Sequence, residues 1–335
     1  MKLGEIMKVA INGFGRIGRN FFKAAMEKKL NITAINDLTD TKTLAYLLKY
    51  DSVFGRYNKK IAYTNDSLIV DGRKIRVLAI KEPGELPWKQ LGIDVVVEST
   101  GRFESKKDAE KHLMAGAKKV VISAPSDDSD FTAVMGVNHD KIASNHKVVS
   151  MASCTTNCLA VMVKVLDDSF GINEGFVTTV HAYTATQSLV DGPARSLRRG
   201  RAAAVSIIPS TSGATTATIR TVPWLTGKLD GLALRVPVLD GSITDFVAYL
   251  KKDVTVEKIN NEFKKAANGK LKGILDYTDE QIVSVDIIGN PASCVFDATG
   301  TQVLGKRFVK VLGWYDNEWG YSNRLVDFVK HFGRK

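Results

Sequence analysis

The chain has 335 residues, of which 44% are apolar and 25% charged, and its formal net charge is +11. This length exceeds the roughly 250–300 residues at which single hydrophobic cores stop growing, so we expect two domains. Three cysteines are too few for a disulfide framework, no apolar run approaches the roughly 18–20 residues of a membrane span, and the N-terminus lacks a signal peptide's long apolar segment, so we expect a cytoplasmic protein.

The first elements of the chain match the dinucleotide-binding fingerprint. Residues 8–12 predict a strand, Gly13, Gly15 and Gly18 follow it, and a helix and a second strand lead to Asp37. The acid lies about 20 residues after the glycines, as the fingerprint requires. The glycines allow a pyrophosphate to approach the helix N-terminus, and the carboxylate can accept hydrogen bonds from the adenosine ribose. Because an acid repels a 2′-phosphate, we predict NAD rather than NADP.

The α/β alternation continues to residue 150 and predicts a Rossmann-type, parallel-sheet NAD-binding domain. Ser123 follows one of these strands and is a candidate for the cofactor cleft, because open α/β sheets bind ligands where strands end. An isolated serine at such a position can equally form an ordinary turn. The predicted helices are 41–50 and 106–115, and the predicted strands are 60–64, 67–70, 74–80, 94–98, 120–125 and 147–150.

Beyond residue 153 the pattern changes to longer strands with few helices between them. This pattern predicts a second, α+β domain with a largely antiparallel sheet. A polar stretch over residues 183–207 has no period, and loops of that length are usually functional or disordered. The predicted strands are 175–183, 229–238, 243–251, 282–288, 293–298 and 308–314, and the predicted helices are 256–267 and one near 212–222.

Cys154 lies at a predicted turn from a strand to a helix. It follows the strand at 147–150 and precedes residues 159–166, whose apolar spacing suits a buried helix. Unpaired backbone N–H groups and the positive end of the helix dipole favour a thiolate over a thiol at such a position. The alternative is that Cys154 is a small buried apolar residue, which is the usual fate of a cysteine. Position alone leaves both interpretations open.

His181 lies within a strongly patterned strand. A lone histidine in a strand is more often structural than catalytic, but a cysteine nucleophile needs a partner that takes up its proton and later returns one. An imidazole fits both tasks at neutral pH. Cys158, one helical turn after Cys154, and Cys294, in a later strand, are interpreted as packing residues. No cluster of Cys and His has zinc spacing, so we expect no metal.

Residues 12–19, 152–158 and 314–318 together resemble the phosphorylating members of the glyceraldehyde-3-phosphate dehydrogenase family. The similarity runs from Met7 to Phe328, and residues 1–6 precede the family's usual start. The resemblance implies oxidation of glyceraldehyde 3-phosphate to 1,3-bisphosphoglycerate with NAD⁺ and inorganic phosphate. It also implies a homotetramer.

Within this resemblance, Cys154 is the nucleophile that carries a thioacyl intermediate, and His181 is its base. The implied cofactor-binding domain is 1–153, with a C-terminal helix at 318–335 packing back on it, and the implied catalytic domain is 154–317. Gly192-Pro193, in the long loop, matches the members that use NAD.

The resemblance also implies roles for further residues. Without it, the basic segment around Arg199 would be interpreted as a solvated loop. The chain departs from the family's usual residue where Lys81 replaces an arginine, Ser212 a threonine and Met151 an asparagine. The implied cofactor residues are Gly13, Gly15, Arg16, Ile17, Asp37, Lys81 and Asn317, those for the substrate phosphate are Thr184 and Arg235, and those for the attacking phosphate are Ser153, Thr155, Arg199, Ser212 and Gly213.

Two alternative functions remain open at this point. Erythrose-4-phosphate dehydrogenase shares the cysteine motif, although Asn36-Asp37 and residues 212–214 fit the triose enzyme better. The charge of +11 alone supports a different class, a protein that binds RNA or another polyanion. Lysines and arginines are spread over the whole length without a basic block, so nucleic acid is not the partner that we expect.

Overall fold

The computed structural model describes residues 6–194 and 196–335, and the expectation about the family's usual start falls mostly on residues outside these ranges. The described chain forms two compact units. The first comprises residues 6–133, 139–152 and 325–335, and the second comprises residues 134–138 and 153–324. The predicted fold class, a parallel-sheet Rossmann-type domain followed by an α+β domain, is confirmed.

The first unit is built on short, almost entirely buried strands. Val9, Val95, Val96 and Val97 have no exposed surface, which is typical of strands in a parallel sheet that is covered on both faces. Its elements are β1 (Val9–Asn12), α1 (Arg16–Glu27), β2 (Ile32–Asn36), α2 (Thr41–Lys49), β3 (Tyr50–Asp51), β4 (Gly55–Arg56), β5 (Ile61–Thr64), β6 (Ser67–Val70), β7 (Arg73–Leu78), α3 (Trp88–Leu91), β8 (Val95–Glu98), α4 (Lys106–Met114), β9 (Lys119–Ile122), β10 (Phe131–Thr132) and β11 (Val148–Ser150).

Nine of these strands form one sheet in the order β10-β11-β9-β8-β1-β2-β7-β6-β5. The pairs from β10 to β7 are parallel, and β6 and β5 extend the edge as an antiparallel hairpin. The chain turns from β6 to β7 through Asp71 and Gly72, which both have positive φ, as a two-residue hairpin turn requires. Because β1 lies between β2 and β8, the strand order reverses at the carboxyl end of β1, where open α/β sheets bind ligands.

The second unit contains a seven-stranded sheet. Its elements are α5 (Cys154–Phe170), β12 (Ile172–Ala182), β13 (Ile208–Thr211), α6 (Ala214–Thr221), β14 (Leu229–Val236), β15 (Ser242–Leu250), α7 (Val256–Asn268), β16 (Leu275–Thr278), β17 (Cys294–Leu304) and β18 (Phe308–Tyr315). The strand order is β13-β14-β12-β15-β18-β17-β16, and only the pairs β12 with β14 and β16 with β17 are parallel. The last helix, α8 (Trp319–Arg334), begins in this unit, and its residues from 325 onward belong to the first unit.

Helix α5 packs closely on this sheet because β18 carries a glycine beneath it. An ideal Cβ built on Gly313 would lie 2.5 Å from Met162 Sδ, 2.7 Å from Cys294 Sγ and 3.2 Å from Cys158 Sγ. The Cys158 thiol also donates to the Gly313 carbonyl oxygen at 3.6 Å. Both cysteines are fully buried, as their interpretation as packing residues requires.

Other large apolar side chains of this sheet remain exposed. They are not members of the buried cluster formed by α5, α7 and the inner face of the sheet. The exposed fraction is 68% for Phe176, 42% for Leu232, 42% for Tyr249 and 45% for Phe308. An apolar surface of this kind is typical of a contact site for another protein surface.

Two sequence predictions for the second unit are wrong. Residues 282–288 do not form a strand, because Ser284–Ile287 is a 3-10 helix. Val283 and Val285 are exposed, so the alternation of apolar residues that predicted a strand does not reflect a buried face. The prediction also missed β13, which follows two short 3-10 turns in the long loop.

Candidate active site

The glycine turn after β1 leaves no room for side chains. Gly13 has φ +93°, and an ideal Cβ on it would lie 2.7 Å from the backbone carbon of Ser99. A Cβ on Gly18 would lie 2.1 Å from the Gly13 carbonyl oxygen. Gly15 caps α1 without a side-chain hydrogen bond and has open space beside it. The N-terminus of α1 can therefore receive a phosphate group on its backbone N–H groups, as a bound dinucleotide requires.

The carboxylate of Asp37 is hydrogen-bonded to the backbone of this turn. It accepts hydrogen bonds from the backbone N–H of Phe14 at 2.8 Å and of Thr39 at 2.9 Å. Each oxygen retains capacity for another donor, such as a ribose hydroxyl. The structure brings four of the predicted cofactor residues into one pocket: Gly13, Gly15, Asp37 and Lys81.

Three other predicted cofactor residues lie nearby but not in the lining of that pocket. The guanidinium of Arg16 pairs with the buried carboxylate of Asp51 at 2.9 Å and lies over the ring of Phe54. Ile17 follows Arg16 in the first turn of α1, and Ser123 lies just after β9.

A buried hydrogen-bond network beneath the pocket was not predicted. Trp88 Nε1 can only donate, and it contacts His112 Nδ1 at 2.9 Å, so this ring nitrogen is the acceptor. His112 Nε2 therefore carries the proton and donates to Glu98 Oε2 at 3.0 Å. Asn12 Nδ2 donates to the same oxygen at 2.6 Å. Thr100, which lines the pocket, donates to the other oxygen through its backbone N–H at 2.8 Å.

This network extends to the second strand of the sheet. Asn36 Nδ2 donates to Asn12 Oδ1 at 2.7 Å, and Asn36 Oδ1 accepts from the backbone N–H of Ile80 at 2.9 Å. The ends of several strands are thus fixed together at the floor of the pocket. The partners lie far apart in the chain, so the only sequence signal was a polar residue at the end of each buried strand.

Cys154 is the first residue of α5, where the helix leaves backbone N–H groups without partners. Ser153 caps the helix, since its Oγ accepts from the backbone N–H of Thr156 at 3.1 Å. The sulfur of Cys154 lies 3.4 Å from Nε2 of His181, at the end of β12. The structure therefore brings the two predicted catalytic residues into direct contact, within one compact unit.

The surroundings of His181 define its tautomer. Nδ1 lies 2.6 Å from the carbonyl oxygen of Ala182, which can only accept, so we assign the proton of the neutral ring to Nδ1. Nε2 then presents its lone pair to the Cys154 sulfur. Arg235 Nη1 donates to the same carbonyl at 3.0 Å and lies 2.9 Å from Nδ1, where its charge opposes a second proton on the ring. The ring of Tyr315 packs edge-on against the imidazole.

Burial opposes the thiolate that the helix N-terminus is predicted to favour at Cys154. Burial raises the pKa of the Cys154 thiol to about 11, and the nearby charge of Arg235 offsets only part of this effect. Burial, followed by the charges of Arg235 and Arg199, lowers the pKa of His181 to about 3. Desolvation disfavours both charged forms, so the resting pair is a thiol and a neutral imidazole.

Two of the predicted phosphate residues, Arg199 and Arg235, lie beside this pair. His181 and Arg235 are paired in register on the parallel strands β12 and β14. Arg199 Nε donates to Ser210 Oγ on β13 at 2.8 Å, and its charge acts on both His181 and Arg235. Two guanidinium groups beside a pair that carries no charge make an environment that attracts anions.

The other predicted phosphate residues have local partners. Ser212 and Gly213 precede α6, and Ser212 Oγ accepts from the backbone N–H of Ala214 at 3.2 Å. Thr184 follows β12, and its hydroxyl contacts that of Thr186 at 3.0 Å. The hydroxyl of Thr155 is buried against Tyr315 OH at 2.8 Å, so this side chain braces the tyrosine.

Asn317, the last predicted cofactor residue, lies two residues after the end of β18. Its Oδ1 accepts from Ser242 Oγ at 2.6 Å, which leaves the side-chain NH₂ group as the available donor. Ser242 Oγ in turn accepts from the backbone N–H of Ala182 at 3.1 Å. Ser242 thus joins Asn317 to the strand of His181, and sequence reasoning missed it because serine is common in turns.

In residues 6–194 and 196–335, no group of three or more His, Cys, Asp or Glu side chains is arranged to hold a metal ion. In the same part of the chain, no helix combines the length and the apolar character needed to cross a membrane.

The glycine turn and the cysteine–histidine pair, each in its own unit, define the class of protein as a dinucleotide-binding enzyme of the dehydrogenase type. Residues 7–106 match the family described as "Glyceraldehyde 3-phosphate dehydrogenase, NAD binding domain", and residues 153–317 match its C-terminal domain. The chain therefore belongs to the glyceraldehyde-3-phosphate dehydrogenase family, and it is an NAD-dependent dehydrogenase.

Three relatives illustrate how far the similarity extends. The glyceraldehyde-3-phosphate dehydrogenase of Streptomyces coelicolor is 56% identical over 333 residues, which cover 98% of this chain and 99% of the relative. The glyceraldehyde-3-phosphate dehydrogenase 1 of Bacillus cereus is 53% identical, with 98% and 99% covered. The glyceraldehyde-3-phosphate dehydrogenase of Geobacillus stearothermophilus is also 53% identical, again with 98% and 99% covered. The similarity thus spans both units of the chain.

Proposed function

We propose that this enzyme oxidises glyceraldehyde 3-phosphate with NAD⁺ and inorganic phosphate to 1,3-bisphosphoglycerate, the glycolytic reaction, through a thioester on Cys154. The observation that carries the proposal is the 3.4 Å contact between the sulfur of Cys154 and the unprotonated Nε2 of His181. A nucleophile and a base at hydrogen-bond distance, with the base oriented by a third group, are the arrangement that covalent catalysis requires. Residues 1–153 would bind the cofactor, and residues 154–317 would carry the chemistry.

The first step is addition of sulfur to the aldehyde carbon. His181 Nε2 removes the thiol proton as the sulfur–carbon bond forms, because the resting pair is uncharged. The aldehyde oxygen becomes an oxyanion, which the N–H of Cys154 and the imidazolium of His181 can stabilise. The Ala182 carbonyl keeps the ring oriented by its bond to Nδ1 throughout the transfer.

Formation of the thioester requires loss of a proton and a hydride from the hemithioacetal. NAD⁺, when bound, accepts the hydride. His181 first returns its proton to the oxyanion, which gives the hemithioacetal hydroxyl, and it takes that proton back as the carbonyl forms. Phosphate then attacks the thioester carbon, the carbon–sulfur bond breaks, and the sulfur leaves as a thiolate that recovers a proton from His181.

Two anions must be held beside the sulfur during this sequence. We assign Thr184 and Arg235 to the phosphate of the substrate. Ser153, Thr155, Arg199, Ser212 and Gly213 are assigned to the attacking phosphate. The guanidinium of Arg199, which donates to Ser210 four residues before α6, supports this assignment, since guanidinium forks and helix N-termini are favourable phosphate ligands.

The proposal is tested by comparing substrates in one assay. NAD reduction should require both glyceraldehyde 3-phosphate and inorganic phosphate, and erythrose 4-phosphate should be turned over with a lower kcat/KM. Equal rates with and without phosphate would contradict the acyl-transfer step. A preference for erythrose 4-phosphate would instead indicate an erythrose-4-phosphate dehydrogenase.

The contacts of Asp37 lead to a prediction about the cofactor. Asp37→Ser removes the acceptor for the ribose hydroxyls and for the Phe14 N–H, so KM for NAD should rise about tenfold while kcat changes less than about twofold. Discrimination against NADP should fall, because the repulsion of a 2′-phosphate is lost. Initial rates with both cofactors measure these effects.

A matched control for this prediction is Asp40→Ser. Asp40 caps α2 through the backbone N–H of Thr43 and lies outside the pocket lining. Serine is also an effective cap, so the control should change neither KM nor cofactor preference. An unchanged KM for NAD in Asp37→Ser would argue against its assigned role.

We also propose that the enzyme is a homotetramer in the cytoplasm. The exposed apolar side chains of the second sheet, including Phe176 and Phe308, support burial of this face against another copy of the chain. Sedimentation equilibrium should give four times the mass of the chain, and a monomer would contradict the assembly. Fractionation of the source cells should recover the activity with the soluble proteins.

A further inference from the structure

Asp240 is a fully buried carboxyl group that the reaction does not use. It precedes β15, and the residue after it, Gly241, donates its backbone N–H to Asp240 Oδ1 at 2.9 Å. No donor among the described residues reaches the other oxygen, Oδ2. A buried carboxylate oxygen without a donor carries a desolvation cost, whereas a protonated one becomes a donor itself.

The strand register brings a second buried acid beside it. Ser242 pairs with Tyr315 in the antiparallel ladder of β15 and β18. Residues just before Ser242 therefore adjoin those just after Tyr315, which brings the carboxyl groups of Asp240 and Asp316 close enough to interact. Two carboxyl groups in such contact cannot both be ionised.

Asp316 is the member of the pair that is ionised. It accepts three backbone hydrogen bonds, from Gly289 at 2.8 Å, Glu318 at 2.9 Å and Trp319 at 2.6 Å. Backbone donors stabilise a carboxylate, and two of these are at the start of α8, whose dipole also favours an anion. Among the residues that the structure describes, Asp240 accepts only from its neighbour Gly241, so the shared proton belongs on Asp240.

We infer that Asp240 is a positioning residue that stays protonated and donates to Asp316, and that this acid pair fixes Asn317 in place. Asn317 directly follows Asp316, and Ser242, two residues after Asp240, holds the Asn317 side-chain oxygen at 2.6 Å. The interaction of Asp240 with Asp316 adds a second connection between the same two chain segments, next to the contact of Ser242 with Asn317. The inference rests on the proposed role of Asn317 in holding the nicotinamide carboxamide.

The charged groups around Asp240 make the pair sensitive to alkali. Burial, Asp316 and Glu318 all raise the pKa of Asp240, and the Cys154 thiol is the other titratable group that interacts with it. Ionisation of Asp240 at high pH would place two carboxylates in contact and separate the strand ends. We therefore expect KM for NAD to rise at alkaline pH.

The test compares Asp240→Asn, whose amide can still donate to Asp316, with Asp240→Ala, which cannot. At pH 7 the wild-type infrared spectrum should contain the C=O stretch of a protonated carboxylic acid, and Asp240→Asn should lose it. KM for NAD should change less than about twofold in Asp240→Asn and rise about tenfold in Asp240→Ala, with kcat little changed. Only Asp240→Asn should abolish the alkaline rise in KM while keeping the neutral value.

Asp245→Asn is the matched control, because Asp245 pairs with Lys310 at 2.8 Å on the same strand pair and should not contribute to the carboxylic acid signal. Absence of that signal in the wild type, or its survival in Asp240→Asn, would overturn the inference. Equal increases of KM in the Asn and Ala variants would do the same. The infrared readout needs no turnover, so it stays decisive even if the proposed reaction is wrong.

Discussion

Cys154→Ser is expected to lose at least about 1,000-fold in kcat with glyceraldehyde 3-phosphate and phosphate. The hydroxyl of serine is a weaker nucleophile than a thiol, and an alkoxide is a poorer leaving group when phosphate attacks the acyl intermediate. Binding of NAD should be retained, since the cofactor pocket is lined by residues of the first unit. Steady-state rates and calorimetric titration with NAD⁺ measure the two properties separately.

Cys158 supplies the control, since it lies one helical turn further along α5 and is buried against Gly313. Cys158→Ala should keep most of the activity while lowering stability modestly, because a sulfur atom is removed from the core. A Cys154→Ser variant that retained a tenth or more of the rate would eliminate the covalent mechanism.

His181→Gln is expected to lower kcat/KM for the aldehyde by about 10²–10⁴-fold, the usual contribution of a general base. It should also change the pH profile. In the wild type the imidazole is unprotonated above its pKa of about 3, so the base is available throughout the neutral range. In the variant only the thiolate reacts, and its fraction rises about tenfold per pH unit below the thiol pKa of about 11.

The steep alkaline rise in the variant separates catalysis from folding, because a merely damaged site would lose rate equally at every pH. His146→Gln is a suitable control, since this ring stacks on Phe131 in the first unit. It should leave both rate and profile unchanged. A His181→Gln variant with a flat profile would contradict the role of His181 as the base.

Much of the fold could be predicted from local patterns. The short buried strands of the first unit, the hairpin at Asp71-Gly72 and the helix starting at Cys154 all follow from residue periodicity and turn chemistry. Residues 282–288 were mispredicted because alternating valines resemble a strand, whereas tertiary context places Val283 and Val285 in solvent.

The motifs of the site could be predicted from the sequence, but its protonation states and its buried hydrogen-bond networks could not. Cys154 and His181 could be identified from position and family resemblance, but their protonation depends on desolvation, which no local pattern encodes. The network of Glu98 and His112 and the acid pair of Asp240 escaped prediction for a related reason. Their partners lie on other strands, and only the folded register brings them together.

Because Gly313 has no side chain, α5 packs directly on the backbone of β18 in the second unit. Sulfur atoms of α5 lie against the bare backbone of β18, so any larger residue there would push the helix outward. Cys158 is one turn from Cys154, and β18 ends beside Asn317, so such a push would disturb the reactive sulfur and the carboxamide site simultaneously. The tight packing of this strand against the helix therefore couples position 313 to the site. We expect a larger residue there, in the interior of the unit, to slow the enzyme.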